Sequence, residues 1–108
     1  MTLVAILTVR AAKLEDFRTY EYGAAKIMAD YGGVIQRTVI TPVDEDGNLK
    51  EIHIVTFPNA EAFHAYRGDN RLARIAFLCR NSVITTEILI GEDGPDYSPP
   101  PPASAPRN

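Results

Sequence analysis

The two histidines, His53 and His64, are the side chains of this sequence best suited to moving a proton near neutral pH. Either could accept a proton from a substrate, and one histidine could in principle ligate a haem iron. No third ligand lies at a recognisable metal-binding spacing from the pair, so we predict no metal site. We favour structural roles for both, at the surface or within hydrogen bonds, and leave the catalytic residues unassigned, with these two histidines as the candidates.

Tyrosines are more numerous in the helical parts of the sequence than the core requires. A tyrosine places its ring among apolar side chains and its hydroxyl at a wet edge, which suits a pocket for an aromatic ligand. The same property suits a plain interface between helix and sheet, and both interpretations stay open. The tyrosines that we predict to line a ligand pocket are Tyr20, Tyr31 and Tyr66.

Three arginines, Arg71, Arg74 and Arg80, fall on one short helix with no acid between them. Such a group could hold the carboxylate of a ligand, so Arg74 joins the pocket candidates, although a solvated helix face explains it as well. Cys79 lies in the same apolar helix, where a buried cysteine acts as a small hydrophobe. The sequence has no glycine-rich phosphate loop, no paired-cysteine metal motif and no nucleophile elbow, so we expect no cofactor.

The stretch from Glu51 to Arg67 positions one histidine in a strand and the other in a helix. Its first part is rich in β-branched residues and predicts a strand. Pro58 cannot donate a backbone hydrogen bond and ends the strand, and Asn59 can cap the helix that follows. Phe63 and Tyr66 lie three residues apart and predict the buried side of that helix.

The other elements follow from hydrophobic period and from glycine and proline breaks. The hairpin between the second and third strands is predicted at an acidic, glycine-containing turn. We predict that Asn81 and Ser82 break the last helix, and that glycines in the left-handed conformation end the first two. The predicted elements are a strand over Leu3–Arg10, a helix over Ala11–Tyr31, a strand over Val34–Thr41, a turn over Asp44–Asn48, a helix ending at Gly68, a helix over Arg71–Arg80 and a strand over Val83–Ile90.

This order is that of the split βαβ, or ferredoxin-like, arrangement, an α+β fold with a four-stranded antiparallel sheet and helices on one face. The first, second and last strands are apolar at both parities, so the uncovered face of the sheet would expose a large apolar patch. Pairing of two copies, sheet on sheet, covers such a patch most simply. We therefore predict a homodimer.

Composition divides the 108 residues into one domain over 1–91 and a proline-rich tail over 92–108 that we expect to be disordered. The domain is nearly neutral, which argues against nucleic acid as a partner. No apolar run is long enough to span a membrane and no signal peptide is recognised, so we expect a cytoplasmic protein without a membrane partner.

Four segments of the sequence together resemble an uncharacterised DUF family (domain of unknown function 1330-like) of small bacterial proteins within the dimeric α/β-barrel superfamily. The resemblance implies a homodimer whose two sheets face each other as a barrel. The wider superfamily includes cofactor-independent monooxygenases of aromatic compounds, haem-degrading enzymes, decarboxylases and stress proteins. Many relatives carry an acid where this chain has Thr56. The matching segments are Tyr31-Gly32-Gly33, Ile54–Pro58, Glu61-Ala62-Phe63 and Ala65-Tyr66-Arg67.

Three functions remain open at this point. The first is a homodimeric α/β-barrel protein of unassigned activity that binds a small ligand in a cavity of the subunit. The second is an enzyme similar to cofactor-independent monooxygenases, acting on a small aromatic compound with a histidine as proton acceptor. The third is an interaction module that presents the run of prolines from Pro99 to Pro102 to an aromatic groove.

Overall fold

The computed structural model describes residues 1–102 of the chain. Four strands and three α-helices follow one another in the predicted order, with one short 3₁₀ helix before α1. Their bounds are β1 Thr2–Arg10, the 3₁₀ helix Ala11–Lys13, α1 Leu14–Ala29, β2 Val34–Ile40, β3 Asn48–Thr56, α2 Ala60–Arg67, α3 Asn70–Ser82 and β4 Val83–Gly91.

The four strands form one antiparallel sheet in the order β2-β3-β1-β4. Strands β1 and β3 pair along their whole length, from Thr2 opposite Thr56 to Arg10 opposite Asn48. These central strands join the two halves of the chain, as the split βαβ arrangement requires. The predicted ferredoxin-like α+β fold is confirmed.

The junction from β3 to α2 follows the local chemistry of the sequence. The Asn59 side chain accepts a hydrogen bond from the Ala62 amide at 2.8 Å and caps α2 as predicted. The end of α2 differs from the prediction, because Gly68 has a φ of −90° and is not left-handed. Asp69 caps the next helix at once, accepting from the Arg71 amide at 2.8 Å, so the chain turns without a left-handed residue.

The ends of the other two helices also differ from the prediction. Residues Ala11–Lys13 form the 3₁₀ turn and α1 begins only at Leu14, and neither start has a side-chain cap. Gly32, with a φ of 74°, is left-handed as expected and lies in the turn that follows α1. Helix α3 continues through Ser82, whose buried hydroxyl donates to the Leu78 carbonyl at 2.7 Å. This bond back to the preceding turn satisfies the hydroxyl inside the helix, so the prediction that Asn81 and Ser82 break α3 was wrong.

The helices cover only one face of the sheet, here called the inner face. On β1 and β3 every second side chain points to the inner face, and most of these side chains are buried. Helix α1 packs Phe17, Ala24 and Met28 against them. The opposite, open face is lined by half-buried or exposed apolar side chains. They are Val4, Ile6, Ile52, Ile54, Val39 and Leu89.

Residues 92–102 belong to no helix or strand. The terminal ammonium of Met1 lies 3.7 Å from the Glu92 carboxylate, which holds the start of this segment beside β1. The rest of the predicted tail, residues 103–108, lies outside the described residues. The domain boundary, the disorder of the tail and its partner remain predictions. No helix among the described residues has the length and apolar character needed to cross a membrane.

Candidate functional site

A cavity of about 290 Å³, here called the inner cavity, lies between the inner face of the sheet and the helices. Leu3, Ala5 and Leu7 of β1 form its floor. The alternation of β1 sends these side chains to one side, and the helices do not fill all the space above them. Such concave, mostly apolar spaces with a few polar groups are where small molecules bind.

Aromatic side chains make one wall of the inner cavity. The ring of Phe57 packs against Phe63 and Tyr66, with centroids 5.4 and 5.5 Å away. Burial raises the pKa of the Tyr20 hydroxyl to about 12 and raises that of the Tyr66 hydroxyl further. Both phenols therefore stay protonated at neutral pH and can donate hydrogen bonds to a ligand.

A polar wall, to which His53 of β3 and Glu21 of α1 contribute directly, also borders the inner cavity, and Glu51 lies behind it on the side of a second cavity. Glu51 and His53 occupy inner-face positions between the apolar Leu49 and Val55, with 3% and 5% of their surface exposed. His53 Nε2 lies 2.8 Å from Glu51 Oε1, and His53 Nδ1 lies 3.6 Å from Glu21 Oε2. The imidazole thus sits between two carboxylates in the interior of the protein.

Helix α1 supplies the charges that compensate this wall. Arg18 and Glu21 are three residues apart and share one side of the helix. Arg18 Nη1 donates to Glu51 Oε2, so the buried carboxylate of Glu51 has a charged partner as well as the imidazole. Pairing of this kind is what allows an ionised group to be buried.

The carboxyl group of Glu21 has a perturbed acidity. Burial raises its pKa above the ordinary value, the nearby imidazole of His53 opposes this rise, and the carboxylate of Glu51 adds to it. A carboxyl group with a raised pKa that faces a cavity is suited to accept and release protons. We name the linked groups Arg18, Glu51, His53 and Glu21 the polar chain.

A second cavity, here called the outer groove, has a volume of about 370 Å³ and lies on the other side of the polar chain, between α1 and strands β2 and β3. All four residues of the polar chain line it. Tyr22 and Ile40 also line the groove and are 72% and 52% exposed, so its rim is open to solvent.

The predicted site residues fall in different places. Tyr20, Tyr66 and His53 line the inner cavity. The other three candidates lie elsewhere: Tyr31 donates to Asp69 Oδ2 at 2.7 Å, and both His64 and Arg74 are exposed on their helices. The roles proposed for all six remain predictions.

Arg71, a neighbour of Arg74 on α3, binds carboxylates of the chain itself. Its guanidinium lies 2.9 Å from Asp69 and 2.8 Å from Asp30. Hydrogen bonds from Arg71 and Tyr31 hold the pKa of the Asp69 carboxyl far below its usual range. These contacts lie at the surface and fix the start of α3 against the end of α1.

Sequence reasoning missed Arg18, Glu21 and Glu51. One signal was available: Glu51 has the parity of Leu49 and Val55, so an acid was due to be buried and needed partners. Its guanidinium partner lies 33 residues away on a helix. No spacing in the sequence predicts that contact.

No protein-family model matches the chain, and no curated protein matches its sequence. The resemblance to the DUF family therefore remains a prediction. Among the described residues, no three His, Cys, Asp or Glu side chains are arranged to hold a metal ion.

Solved structures do match the fold. SnoaB, a cofactor-independent oxygenase from Streptomyces nogalater, is 17% identical, with 86% of this chain and 93% of SnoaB covered and a TM-score of 0.60. RPA0582, a protein of unknown function from Rhodopseudomonas palustris, is 13% identical over 86% and 84% of the two chains, with a TM-score of 0.68. An antibiotic biosynthesis monooxygenase is 10% identical over 87% and 98%, with a TM-score of 0.63. The chain has the fold of the dimeric α/β-barrel proteins. At these identities the likeness establishes only the ferredoxin-like fold that the single chain shares with these structures.

Proposed function

We propose that this chain is a homodimeric α/β-barrel protein that binds a small phenolic compound in the inner cavity and oxygenates it without a cofactor. The observation that carries the proposal is the meeting, in one cavity, of an aromatic wall with the half-buried Glu21 and the buried His53. That some structural neighbours are oxygenases, SnoaB among them, supports the proposal at the level of the kind of reaction.

The size and lining of the inner cavity favour a small aromatic ligand. Its volume of about 290 Å³ is close to the lower limit of ordinary small-molecule pockets, so a ligand of one or two rings is the appropriate class. The rings of Phe57, Phe63 and Tyr66 offer edges and faces to such a ligand. The Tyr20 hydroxyl can donate to a polar substituent.

The polar wall supports proton abstraction. A phenol bound against Glu21 loses its proton to the carboxylate, and the electron pair of the O–H bond remains on the ligand as a phenolate. The phenolate is electron-rich and reduces O₂, which is the oxidant. One oxygen atom enters the ring to give a quinone, and the other leaves as hydroxide with the hydrogen of the oxygenated ring carbon. A proton from solvent converts the hydroxide to water and balances the proton that Glu21 took up, so one phenol and one O₂ give one quinone and one water. General-base catalysis of the first step contributes typically about 10² to 10⁴ in rate.

The homodimer is proposed from the open face of the sheet. Val39 and Leu89 are exposed there in the single chain, and the central residues of the face are isoleucine and valine. An apolar patch on this scale marks an interaction surface, and a two-fold pairing of sheets covers it in both copies at once.

Binding and turnover are tested separately. Binding of 2-naphthol, a two-ring phenol, and of a panel of one-ring phenols is measured by calorimetry. O₂ consumption is followed with an electrode for the same compounds, in buffer with a chelator. We expect Glu21→Gln to retain binding and to lose at least about tenfold in O₂ consumption. Glu15→Gln is the matched control, because Glu15 is exposed on the same helix.

The outcomes separate the two parts of the proposal. Binding of phenols without O₂ consumption would remove the oxygenase and leave a ligand-binding barrel protein. Absence of binding by the whole panel would overturn the cavity as a phenol site. Equal O₂ consumption by the parent protein and Glu21→Gln would remove Glu21 as the base.

A further inference from the structure

The inner cavity and the outer groove have only two lining residues in common, Glu21 and His53. These side chains therefore form the wall between an apolar cavity and a groove that is open to solvent. Glu51 and Arg18 line the outer groove and do not line the inner cavity. The arrangement places a line of proton-carrying groups across the wall between the two spaces.

We propose that Glu21 and His53 carry protons from the inner cavity to water in the outer groove, and that Glu51, held by Arg18, is the positioning residue that sets the direction of transfer. This inference rests on the proposed function only for the origin of the proton, which is the bound phenol. The chain of contacts itself is a property of the free protein.

The hydrogen-bond partners determine the tautomer of His53. Arg18 donates to one oxygen of Glu51, which favours the ionised carboxylate, and a carboxylate can only accept. The other oxygen of Glu51 lies 2.8 Å from His53 Nε2, so in the neutral ring Nε2 carries the hydrogen. The lone pair of Nδ1 then faces Glu21 at 3.6 Å, within reach after a small adjustment.

The transfer balances in two steps. Protonated Glu21 gives its hydrogen to Nδ1, which restores the Glu21 carboxylate and leaves an imidazolium stabilised by Glu51. The hydrogen on Nε2 stays there, in its hydrogen bond to Glu51, and the imidazolium gives the hydrogen that it received on Nδ1 to a water of the outer groove. The ring is then back in its starting tautomer, and the proton has left the protein. Glu51 stays ionised throughout, because Arg18 compensates its charge. No oxidant or reductant takes part in this transfer.

The charged and titratable groups around the imidazole come from two elements. Helix α1 contributes Arg18 and Glu21, and β3 contributes Glu51. Strand β2 faces the outer groove with Ile35, Thr38 and Ile40, which are uncharged. Apart from the exposed phenol of Tyr22, the charged and titratable residues that border the groove are therefore those of the polar chain.

The first test is the tautomer of His53, read from the nitrogen chemical shifts of isotopically labelled protein above the titration range of the ring. We expect the hydrogen on Nε2 in the parent protein. In Glu51→Gln the amide oxygen turns to Arg18, so the amide nitrogen donates to Nε2 and the hydrogen moves to Nδ1. Glu45→Gln, in the exposed loop before β3, is the matched control, and the exposed His64 is an internal one.

The second test concerns the exit. Ala25 lines only the outer groove, whereas Ala73 is exposed on α3 and lines neither the groove nor the inner cavity. We expect Ala25→Val to slow the exchange of the His53 ring hydrogen with water several-fold, and Ala73→Val to leave the exchange rate unchanged. Both variants add the same two methyl groups to a helix, so the comparison isolates the effect of narrowing the groove.

A hydrogen on Nδ1 of His53 in the parent protein would overturn the proposal. This result depends on the parent protein alone, so it tests the proposal even if Glu51→Gln fails to fold. An unchanged tautomer in a folded Glu51→Gln would remove Glu51 as the positioning residue. An exchange rate in Ala25→Val equal to that in Ala73→Val would remove the outer groove as the exit. None of these measurements needs turnover, so a parent protein that consumes no O₂ would refute the oxygenase while these results still decide the proton route.

Discussion

At the scale of single residues, the chemistry of the interior is concentrated in the polar chain. Each of its members compensates another: Arg18 balances Glu51, and His53 is shared between Glu51 and Glu21. Of the two carboxylates, Glu51 has a guanidinium partner and Glu21 is paired with the imidazole alone. This difference makes Glu21 the member whose proton affinity is raised by burial, while Glu51 serves as a fixed charge.

The raised pKa of Glu21 predicts how stability depends on pH. Because the folded protein holds the Glu21 proton where the unfolded chain has already lost it, the free energy of unfolding falls as pH rises from the ordinary carboxyl range to the raised pKa. The Gln side chain of Glu21→Gln does not ionise, so the free energy of unfolding of this variant does not fall over that pH range for this reason. We expect it to be more stable than the parent at neutral pH, with the two converging below the ordinary carboxyl range. Urea unfolding at a series of pH values measures this, with Glu15→Gln as control, and parallel curves for Glu21→Gln and the parent would contradict it.

Arg18 is predicted to stabilise the fold through Glu51. In Arg18→Ala the Glu51 carboxylate stays buried with the imidazole as its only partner, so we expect a loss of about 2 kcal/mol in the free energy of unfolding. Lys26→Ala, an exposed change on the same helix, should stay within about 0.5 kcal/mol. Denaturant titration compares the two variants. Equal stabilities would mean that water replaces the guanidinium without cost.

At the scale of elements, the junction between α1 and β2 holds the helix against the sheet. A Cβ atom at Gly33 would contact the Met28 side chain and would lie 2.5 Å from Phe57 Cε1. Gly33→Ala therefore forces the core apart, and we expect a loss of about 2 to 3 kcal/mol in the free energy of unfolding. Gly94→Ala, where nothing lies within 4 Å, is the control. Thermal unfolding of both variants tests this, and a Gly33→Ala protein as stable as the control would show that Met28 and Phe57 can move aside.

The elements also show how far the sequence alone could lead. Pro58 and Asn59 act on their immediate neighbours, so the end of β3 and the start of α2 were predictable from local chemistry. Ser82 looked like a helix breaker because its hydroxyl competes with the backbone, but its burial inside α3 depends on tertiary packing. The polar chain was unpredictable for the same reason. The alternation of β3 predicts that Glu51 points to the inner face. The contact between Arg18 and Glu51 depends on how α1 crosses the sheet, which no pattern in the sequence determines.

At the scale of the whole molecule, the open face of the sheet determines what the chain can assemble into. Strand pairing aligns its residues in rows that cross the sheet. One row runs from Arg37 through Ile54 and Val4 to Leu89, and the next runs from Val39 through Ile52 and Ile6 to Glu87. The face is thus an apolar patch with a positive charge at one edge and a negative charge at the opposite edge.

These charges define which two-fold pairing is favourable. A two-fold axis parallel to the strands lays the β2 edge of one copy over the β4 edge of the other, which brings Arg37 of each copy near Glu87 of the other. A perpendicular axis would lay like edges together and oppose like charges, which is costly at an interface. Charge therefore selects the parallel axis, while the apolar rows supply the burial.

The parallel axis predicts a charge-exchange result. Arg37→Glu and Glu87→Arg each bring like charges together at both edges, so we expect each to raise the dissociation constant of the proposed homodimer at least about tenfold, equivalent to about 1.4 kcal/mol. The double variant restores opposite charges and should return the constant toward that of the parent. Light scattering over a dilution series measures it, with Glu61→Arg on the exposed side of α2 as control. Additive losses in the double variant would exclude the parallel axis, and a monomeric parent would exclude the homodimer.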